Sequence, residues 1–273
     1  MTAMKKMARS DVTTTRRQFV GTVAGAATVA ALAGTAYAEE SKGGKMDSDY
    51  EKIPPLAPQW QSLDLAKILR YPAAFVSISQ VKSLYDPEGA QAGERQWERP
   101  TLPATVKAVQ AARAAPNFKL FAWVGYEVFR EKYPKSEFDA AQYASWIKGK
   151  EDWSAEKKKK DNELADELQA LVRPGDLEFN ELALQSSFIG TALPLELARR
   201  EIKTVVLTGI HLDWCIEGNA RAARDMGYLP IVIGDATSTQ KLEDKPAAMR
   251  RINNFWAPVI SSDTFVKLLN QTA

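Results

Sequence analysis

The chain has very little of the chemistry that cysteine and histidine supply. Its 273 residues include one cysteine, Cys215, and one histidine, His211. A single cysteine excludes an internal disulfide, so the thiol is buried, reactive or paired with another molecule. One histidine and one cysteine are also too few for a zinc centre, and no carboxylate cluster has ligand spacing. We therefore expect neither a metal nor another cofactor.

Other absences narrow the class of function. No glycine-rich phosphate loop follows an apolar run, and no internal repeat is present. The formal net charge is only +2, which implies no nucleic-acid partner. The apolar run at residues 19–35 is rich in Gly, Ala and Thr, whereas a membrane-spanning helix needs roughly 20 strongly apolar residues.

The first 38 residues have the features of an export signal. Five basic residues precede the apolar run at residues 19–35, and the piece "TRRQFV" is close to the twin-arginine signature. The segment "AYA" at residues 36–38 fits a cleavage site. Cleavage there would leave 235 residues and change the net charge from +2 to −2. We predict a twin-arginine signal peptide over residues 1–38 and a periplasmic or otherwise exported mature protein without stable membrane insertion. An uncleaved anchor is the alternative.

The mature chain divides into a short lead-in and one domain. Residues 39–60 are first polar and then proline-rich, which predicts a flexible lead-in that ends by packing Trp60 onto the domain. Residues 61–273 are few enough to fold around a single hydrophobic core, so we predict that they form one domain.

Short apolar runs alternate with helical patterns along this domain. The predicted strands are residues 73–79, 118–125, 176–181, 203–209, 229–235 and 257–261. The predicted helices are residues 102–115, 159–172, 193–202, 215–226, 246–256 and 262–270, the last with Ser262 as its N-cap. The alternation predicts an α/β fold, with a doubly wound, mostly parallel sheet of about six strands covered by helices on both faces. Ligands of such sheets bind beyond the carboxyl ends of the strands.

Cys215 lies where a predicted strand turns into a predicted helix. At the positive end of a helix the thiolate is favoured, so the thiol pKa should fall below its free value of about 8.5. The backbone N–H groups of this turn, at Asp213, Trp214 and Cys215, are candidates for an oxyanion hole. A buried, inert cysteine is the alternative. His211 precedes the thiol by four residues and serves either as its base or as a packing or rim residue.

The sequence around the thiol resembles the isochorismatase-like cysteine hydrolases. The stretch "VVLTGIHLDWCIEGNARAARDMGYLPIVIGDATST" is similar to that family's apolar strand, G-[VI]-x-T-x-x-C turn, helix and G-Y-x-x-x-[VI]-x-x-D-A block. The residues in register are Gly209, Ile210, Cys215, Gly227, Tyr228, Asp235 and Ala236. A second block, Ser186 to Gly209, is similar to the family's S-A-F-x-G-T-x-L segment. The resemblance implies the α/β fold described above, a Rossmann-like three-layer sandwich, and a cis peptide bond between Ile210 and His211.

The resemblance also implies a Cys, Asp and Lys triad, and here the chain departs from the family. The Asp of the family's I-D-x-Q motif corresponds to Ile78, between Ser77 and Ser79, although Gln80 is retained. The Lys position falls on Glu181, or on Leu182 with the gap on the other side. An acid in place of the cation would raise the thiol pKa, unless Glu181 is itself the base.

Two functions therefore remain open, and the sequence does not decide whether the protein is an enzyme. In the first, Cys215 attacks a small amide or related carbonyl compound, Glu181 is the base and backbone N–H groups hold the oxyanion. In the second, a non-catalytic member of the family binds a small molecule or a partner protein in the same cleft. Relatives commonly assemble, so a homo-oligomer is compatible with either function.

Aromatic side chains are the expected walls of that cleft. The candidates are Trp123, Tyr126, Phe188 and Trp214, with His211 beside them. Ordinary core packing is the alternative for each. Aromatic walls suit a flat or ring-bearing ligand.

Overall fold

A computed structural model of the chain describes residues 49–129, 136–179 and 185–271. The predicted signal peptide, residues 1–38, and the first part of the lead-in lie outside the described residues. Within the described residues, no helix has the length and apolar character needed to cross a bilayer.

Six parallel strands form one sheet. They are β1 (Ala73–Ile78), β2 (Phe118–Val124), β3 (Leu177–Phe179), β4 (Thr204–Ile210), β5 (Leu229–Ser238) and β6 (Val259–Ile260). Their order is β3-β2-β1-β4-β5-β6, and every neighbouring pair is parallel. Every residue of β1 and β4 is buried, as expected for central strands of a sheet covered on both faces. The predicted doubly wound sheet is confirmed.

Helices connect the strands. They are α1 (Pro58–Gln61), α2 (Leu65–Leu69), α3 (Lys82–Tyr85), α4 (Thr101–Ala114), α5 (Glu137–Ile147), α6 (Ala155–Asp161), α7 (Asp166–Gln169), α8 (Leu193–Arg199), α9 (Glu217–Asp225), α10 (Lys245–Phe255) and α11 (Ser262–Leu269). Short 3₁₀ turns occupy Ala92–Glu94, Gln96–Glu98 and Leu242–Asp244, and a π-helical turn spans Leu212–Ile216.

The helices cover both faces of the sheet. On one face α2, α4, α7 and α11 bury a core that includes Phe75, Phe121 and Phe265. On the other face α8, α9 and α10 bury Val76, Leu207 and Met249, among others. Successive side chains of a strand point to opposite faces, which is why neighbouring residues of β1 fall into different cores.

Three sequence predictions need correction. The helix predicted over 159–172 is two helices, α6 and α7, because Leu164 between them pairs with Val81 and the Ala165 N–H donates to the Gln80 carbonyl at 3.0 Å. The helix predicted from 215 starts at Glu217, after the π-helical turn. The N-cap of α11 is Ser261, whose hydroxyl accepts from the Thr264 N–H at 3.0 Å, rather than Ser262.

The described end of the lead-in packs on the domain. The Trp60 indole N–H donates to the Asn253 carbonyl, as the prediction for Trp60 required. Earlier residues are held as well, since the Asn253 amide donates to the Pro55 carbonyl at 2.8 Å and Lys245 pairs with Glu51. The flexibility predicted for the lead-in therefore does not extend to residues 51–60.

Strand order reverses between β1 and β4. From β1 the chain proceeds to β2 and β3 on one side, and β4 to β6 then build the other side. In doubly wound sheets the crevice beyond this switch point is the usual ligand site. Ser79, after β1, and Cys215, after β4, are brought together at this crevice.

Candidate functional site

Cys215 lies in the π-helical turn between β4 and α9, as the strand-to-helix prediction placed it. The turn begins after His211, and the predicted cis peptide bond between Ile210 and His211 is confirmed. The Ile216 N–H donates to the His211 carbonyl at 3.0 Å, an i to i+5 bond that widens the turn. Single π turns of this kind are frequent at functional sites.

The thiol is buried and protonated at neutral pH. Only 5% of the Cys215 surface is exposed. Burial raises the pKa of Cys215 to about 11, and hydrogen bonds with the backbone of His211 and with the Ser79 side chain offset part of this. The negative charge of Asp213 raises the pKa further. The expectation of a thiol pKa below 8.5 is wrong, because loss of water outweighs the favourable helix terminus.

The end of β1 supplies a hydroxyl where the family resemblance implies an acid. Ile78, at the aligned position, is fully buried in the apolar core that packs against α8 and α9. The next residue, Ser79, has a left-handed backbone with φ of 54° and hydrogen-bonds the Cys215 thiol. Gln80 is a core residue: it accepts from the Ser77 hydroxyl at 2.8 Å and donates to the Thr105 hydroxyl at 3.1 Å.

His211 is engaged by a carboxylate that the sequence did not single out. Its Nε2 lies 2.7 Å from Oε2 of Glu94, and both side chains are more than 90% buried. Burial alone would raise the pKa of Glu94, but His211, Gln96 and Arg99 together hold it below its usual value. The imidazole also stacks on Trp214 with ring centroids 6.1 Å apart. His211 is therefore a wall residue held by Glu94.

The predicted oxyanion hole is only partly available. The Trp214 N–H donates to the His211 carbonyl at 3.2 Å and so is already used inside the turn. The backbone of Cys215 interacts with its own thiol. Asp213 was predicted to contribute its backbone N–H, but the contribution found is that of its side chain, whose negative charge raises the pKa of the thiol.

A small cavity adjoins the thiol, with a volume of about 10 Å³. Three predicted residues line it beside Cys215: Tyr126, His211 and Trp214. The other lining residues are Ser79, Leu84, Gln91 and Trp146. Such a volume holds about one water molecule.

Two of the predicted wall residues lie elsewhere. Trp123 is fully buried on the face of the sheet covered by α4, and its indole N–H donates to Asp176 at 2.8 Å. Phe188 packs in the opposite core, with its ring 6.1 Å from that of Tyr228. Both predictions are corrected, because core packing and not the cavity determines these positions.

Trp146 and Gln91 are lining residues that sequence reasoning missed. Gln91 lies in the connection between β1 and α4, and Trp146 lies in α5, between β2 and β3. Trp146 belongs to an aromatic cap formed by Ala90, Tyr126, Val128, Phe129, Tyr143, Trp146, Ile147 and Trp153. The density of aromatic residues over 123–153 was the available signal.

Glu181, the predicted base, lies in residues 180–184, outside the described residues. In the part of the chain that the structure describes, no group of three or more His, Cys, Asp or Glu side chains is arranged to hold a metal ion.

Comparison with known proteins identifies the family. The family model described as the isochorismatase domain matches residues 73–264. The uncharacterized isochorismatase family protein YwoC of Bacillus subtilis (strain 168) is 46% identical over 66 residues, which are 24% of this chain and 35% of that protein. The chain thus spans about a third of this curated relative.

Solved structures share the fold. A cysteine hydrolase from Pseudomonas syringae pv. phaseolicola 1448A matches with a TM-score of 0.60 and 17% identity, covering 79% of this chain and 97% of that one. The nicotinamidase/pyrazinamidase PncA from Bacillus subtilis matches with a TM-score of 0.51 and 18% identity, covering 69% and 99%. Since the family match runs from β1 into α11, the chain belongs to the isochorismatase family.

Proposed function

We propose that this protein is a ligand-binding member of the isochorismatase family in which the retained cysteine contacts a small molecule without hydrolysing it. The surroundings of Cys215 carry the proposal: the thiol is 5% exposed, and among the described residues the side chain that hydrogen-bonds it is the hydroxyl of Ser79 and not a carboxylate or an amine. Burial also raises the pKa of the thiol to about 11, which disfavours the thiolate, the nucleophilic form.

The surroundings of the thiol support this function. A nucleophilic cysteine needs either a base within hydrogen-bond reach or a cation that stabilises the thiolate. His211 is occupied by Glu94, Ser79 offers only a hydroxyl, and Ile78 is apolar. Among the described residues that line the cavity, none carries a fixed positive charge.

A second function is supported by the position of Cys215 at the strand switch point, facing a cavity. It is the hydrolysis of a small amide or related carbonyl compound, with Glu181 as the base. Glu181 would take the thiol proton, Cys215 would attack the carbonyl carbon, and Glu181 would return the proton to the amine, which leaves as the C–N bond breaks. Water would then hydrolyse the thioester, releasing the acid and restoring the thiol. The solved relative named as a nicotinamidase/pyrazinamidase suggests nicotinamide and pyrazinamide as the first substrates to try.

Alkylation and hydrolysis together separate the two functions. For a binding protein, we expect iodoacetamide to modify Cys215 slowly at pH 7, at a rate that rises with pH well beyond pH 9, and no release of ammonia from either amide. Rapid modification near neutral pH that slows in Glu181→Gln, with hydrolysis that vanishes in Cys215→Ala, would establish the hydrolase instead. Unfolded protein provides the control for reagent activity.

We also propose that the protein is exported through the twin-arginine route. The support is the sequence of residues 1–38, with its paired arginines and "AYA" segment. An intact-mass measurement on protein from the native host should give a chain that starts at Glu39. A full-length mass in the membrane fraction would contradict cleavage.

A further inference from the structure

Aromatic rings surround the cavity at steep angles to one another. The Trp146 and Trp214 ring centroids are 5.7 Å apart with an interplanar angle of 52°, and the Tyr126 and Trp146 centroids are 6.0 Å apart at 71°. Rings at these angles offer no pair of parallel faces between which a flat ring could stack, whereas a compact cation is attracted to aromatic rings whatever their mutual angle. We refer to Tyr126, Trp146 and Trp214 as the aromatic wall.

Gln91 adds a buried acceptor to the aromatic wall. The residue is 6% exposed and lines the cavity, and its backbone N–H is fixed by the Ser83 carbonyl at 2.9 Å. Its side-chain Oε1 has no hydrogen-bond partner in the structure. A buried acceptor without a donor is costly, so the site is complementary to a ligand that brings an N–H group.

The charged side chains near the cavity also favour a cationic ligand. The negative charge of Asp213 raises the pKa of the Cys215 thiol, and the carboxylate of Glu94 contacts the His211 ring. The other ionisable side chains that line the cavity with Cys215 are Tyr126 and His211. No Lys or Arg is among the described residues that line the cavity. A cation therefore meets acceptors and π faces without a competing fixed charge.

The size of the cavity restricts the ligand further. A volume of about 10 Å³ matches one water molecule, and a primary ammonium group is of similar size. An aromatic amide is much larger than this volume and would require the lining side chains to move.

From these observations we infer that the cavity binds the head group of a small primary ammonium ion, of which methylammonium is the simplest example. The ammonium hydrogens bond to Oε1 of Gln91 while the aromatic wall encloses the charge. This inference rests on the proposed binding function, and it names the class of ligand.

Calorimetric titration with methylammonium chloride tests the inference at constant ionic strength, with sodium chloride as the balancing salt. We expect saturable binding that acetamide, which is neutral, does not reproduce. Binding should weaken about tenfold or more in Gln91→Met, since a hydrogen bond to a charged group is lost. It should tighten in Gln91→Glu, because an opposite charge then faces the ligand.

Two further variants keep the result interpretable. Gln142→Glu adds the same charge on the exposed side of α5 and should leave the affinity unchanged. Trp146→Leu removes one ring and should weaken binding about fivefold, which provides a second measure if Gln91 variants fold poorly. Circular dichroism reports folding of each variant.

The thiol supplies a readout that a purely structural role of Gln91 would not change. A ligand bound in the cavity covers the neighbouring thiol, so methylammonium, which is protonated at pH 8, should slow iodoacetamide modification of Cys215 at that pH. This protection should be absent in Gln91→Met.

The inference is overturned if methylammonium gives no saturable heat, if acetamide binds equally well, or if Gln91→Met and Trp146→Leu both bind like the wild type. Failure of the proposed function looks different. Hydrolysis of an amide that disappears in Cys215→Ala would overturn the binding function whatever the methylammonium titration shows. Binding of nicotinamide without methylammonium binding would keep the binding function and overturn the ligand class.

Discussion

Two neighbouring strands, β4 and β1, end at the cavity, and they end differently. β4 runs into the π-helical turn that holds Cys215 at the position given by the family resemblance. β1 ends in Ile78, buried in the core, and in Ser79, a hydroxyl beside the thiol. One strand end carries the thiol, and the other carries an apolar side chain and a hydroxyl, without a carboxylate.

The difference shows that the backbone framework and the chemistry depend on different residues. The pairing of β1 with β4 continues in register to Ile78 and Gly209, so the framework is intact up to the last residue of β1. The pKa of the thiol depends instead on its burial and, to a smaller extent, on the His211 backbone, the Ser79 hydroxyl and the Asp213 charge beyond that point. The fold of the family therefore does not by itself determine the ionisation of the thiol.

The largest effect is expected where the two strands touch. Gly209 has φ of +115°, and a Cβ at this position would lie 1.9 Å from the Ile78 carbonyl oxygen. Gly209→Ala must shift one of the two strands and place alanine in a strained conformation, so we expect a loss of about 4 kcal/mol in the free energy of unfolding. Urea denaturation measures it.

Gly218→Ala is the matched control. Nothing lies within 4 Å of a Cβ at Gly218, which is inside α9. Alanine there should stabilise the helix by up to about 1 kcal/mol. Equal stability of the two variants would show that β1 and β4 do not approach as closely as described.

A smaller effect, of about 2–3 kcal/mol, should come from ionisation of the thiol. The pKa of Cys215 is raised from its ordinary 9.0 to about 11 in the folded protein. Folding therefore favours the protonated thiol, and this contribution is complete below pH 9 and is lost as the pH rises through 11. The stability advantage of the wild type over Cys215→Ser should shrink by that amount across this range.

Unfolding curves of both proteins between pH 8 and 11 provide the measurement. Tyr and Lys residues titrate in the same range, but they are common to both proteins and cancel in the difference. Parallel curves would mean that folding does not change the pKa of the thiol.

The strands and their parallel arrangement could be predicted from the sequence because burial of a parallel sheet leaves a local signal. Each predicted strand overlaps an observed one, since apolar runs such as "KTVVLTG" mark a strand buried on both faces. The family resemblance located Cys215 and the cis peptide bond. The prediction of one continuous helix over residues 159–172 was wrong because Leu164, which interrupts it, pairs with Val81, a residue far away in the sequence.

The residues that form the site were harder to predict, because their contacts also join segments that are far apart in the sequence. Glu94 and His211 are 117 residues apart, and nothing in either segment indicates their contact. Gln91 and Trp146 reach the cavity from connections without periodic patterns. Trp123 illustrates the converse: an aromatic residue near the end of β2 suggested the cavity, but its side chain points to the face covered by α4, where Asp176 binds its indole.

The smallest expected effect distinguishes the two strand ends by their opposite influence on the thiol. Ser79, from the end of β1, lowers the pKa of Cys215 through a hydrogen bond, whereas Asp213, from the turn after β4, raises it by its charge. Ser79→Ala should therefore slow iodoacetamide modification at pH 8 and Asp213→Asn should accelerate it, each by less than about tenfold, since burial remains the dominant influence.

Asp225→Asn, the same change at an exposed position at the end of α9, should leave the rate unchanged. Because the two groups act on the thiol from different strands, the double variant Ser79→Ala with Asp213→Asn should lie between the single variants. If Ser79→Ala accelerates modification, the hydroxyl shields the sulfur and does not stabilise its anion, and the end of β1 then contributes only access to Cys215.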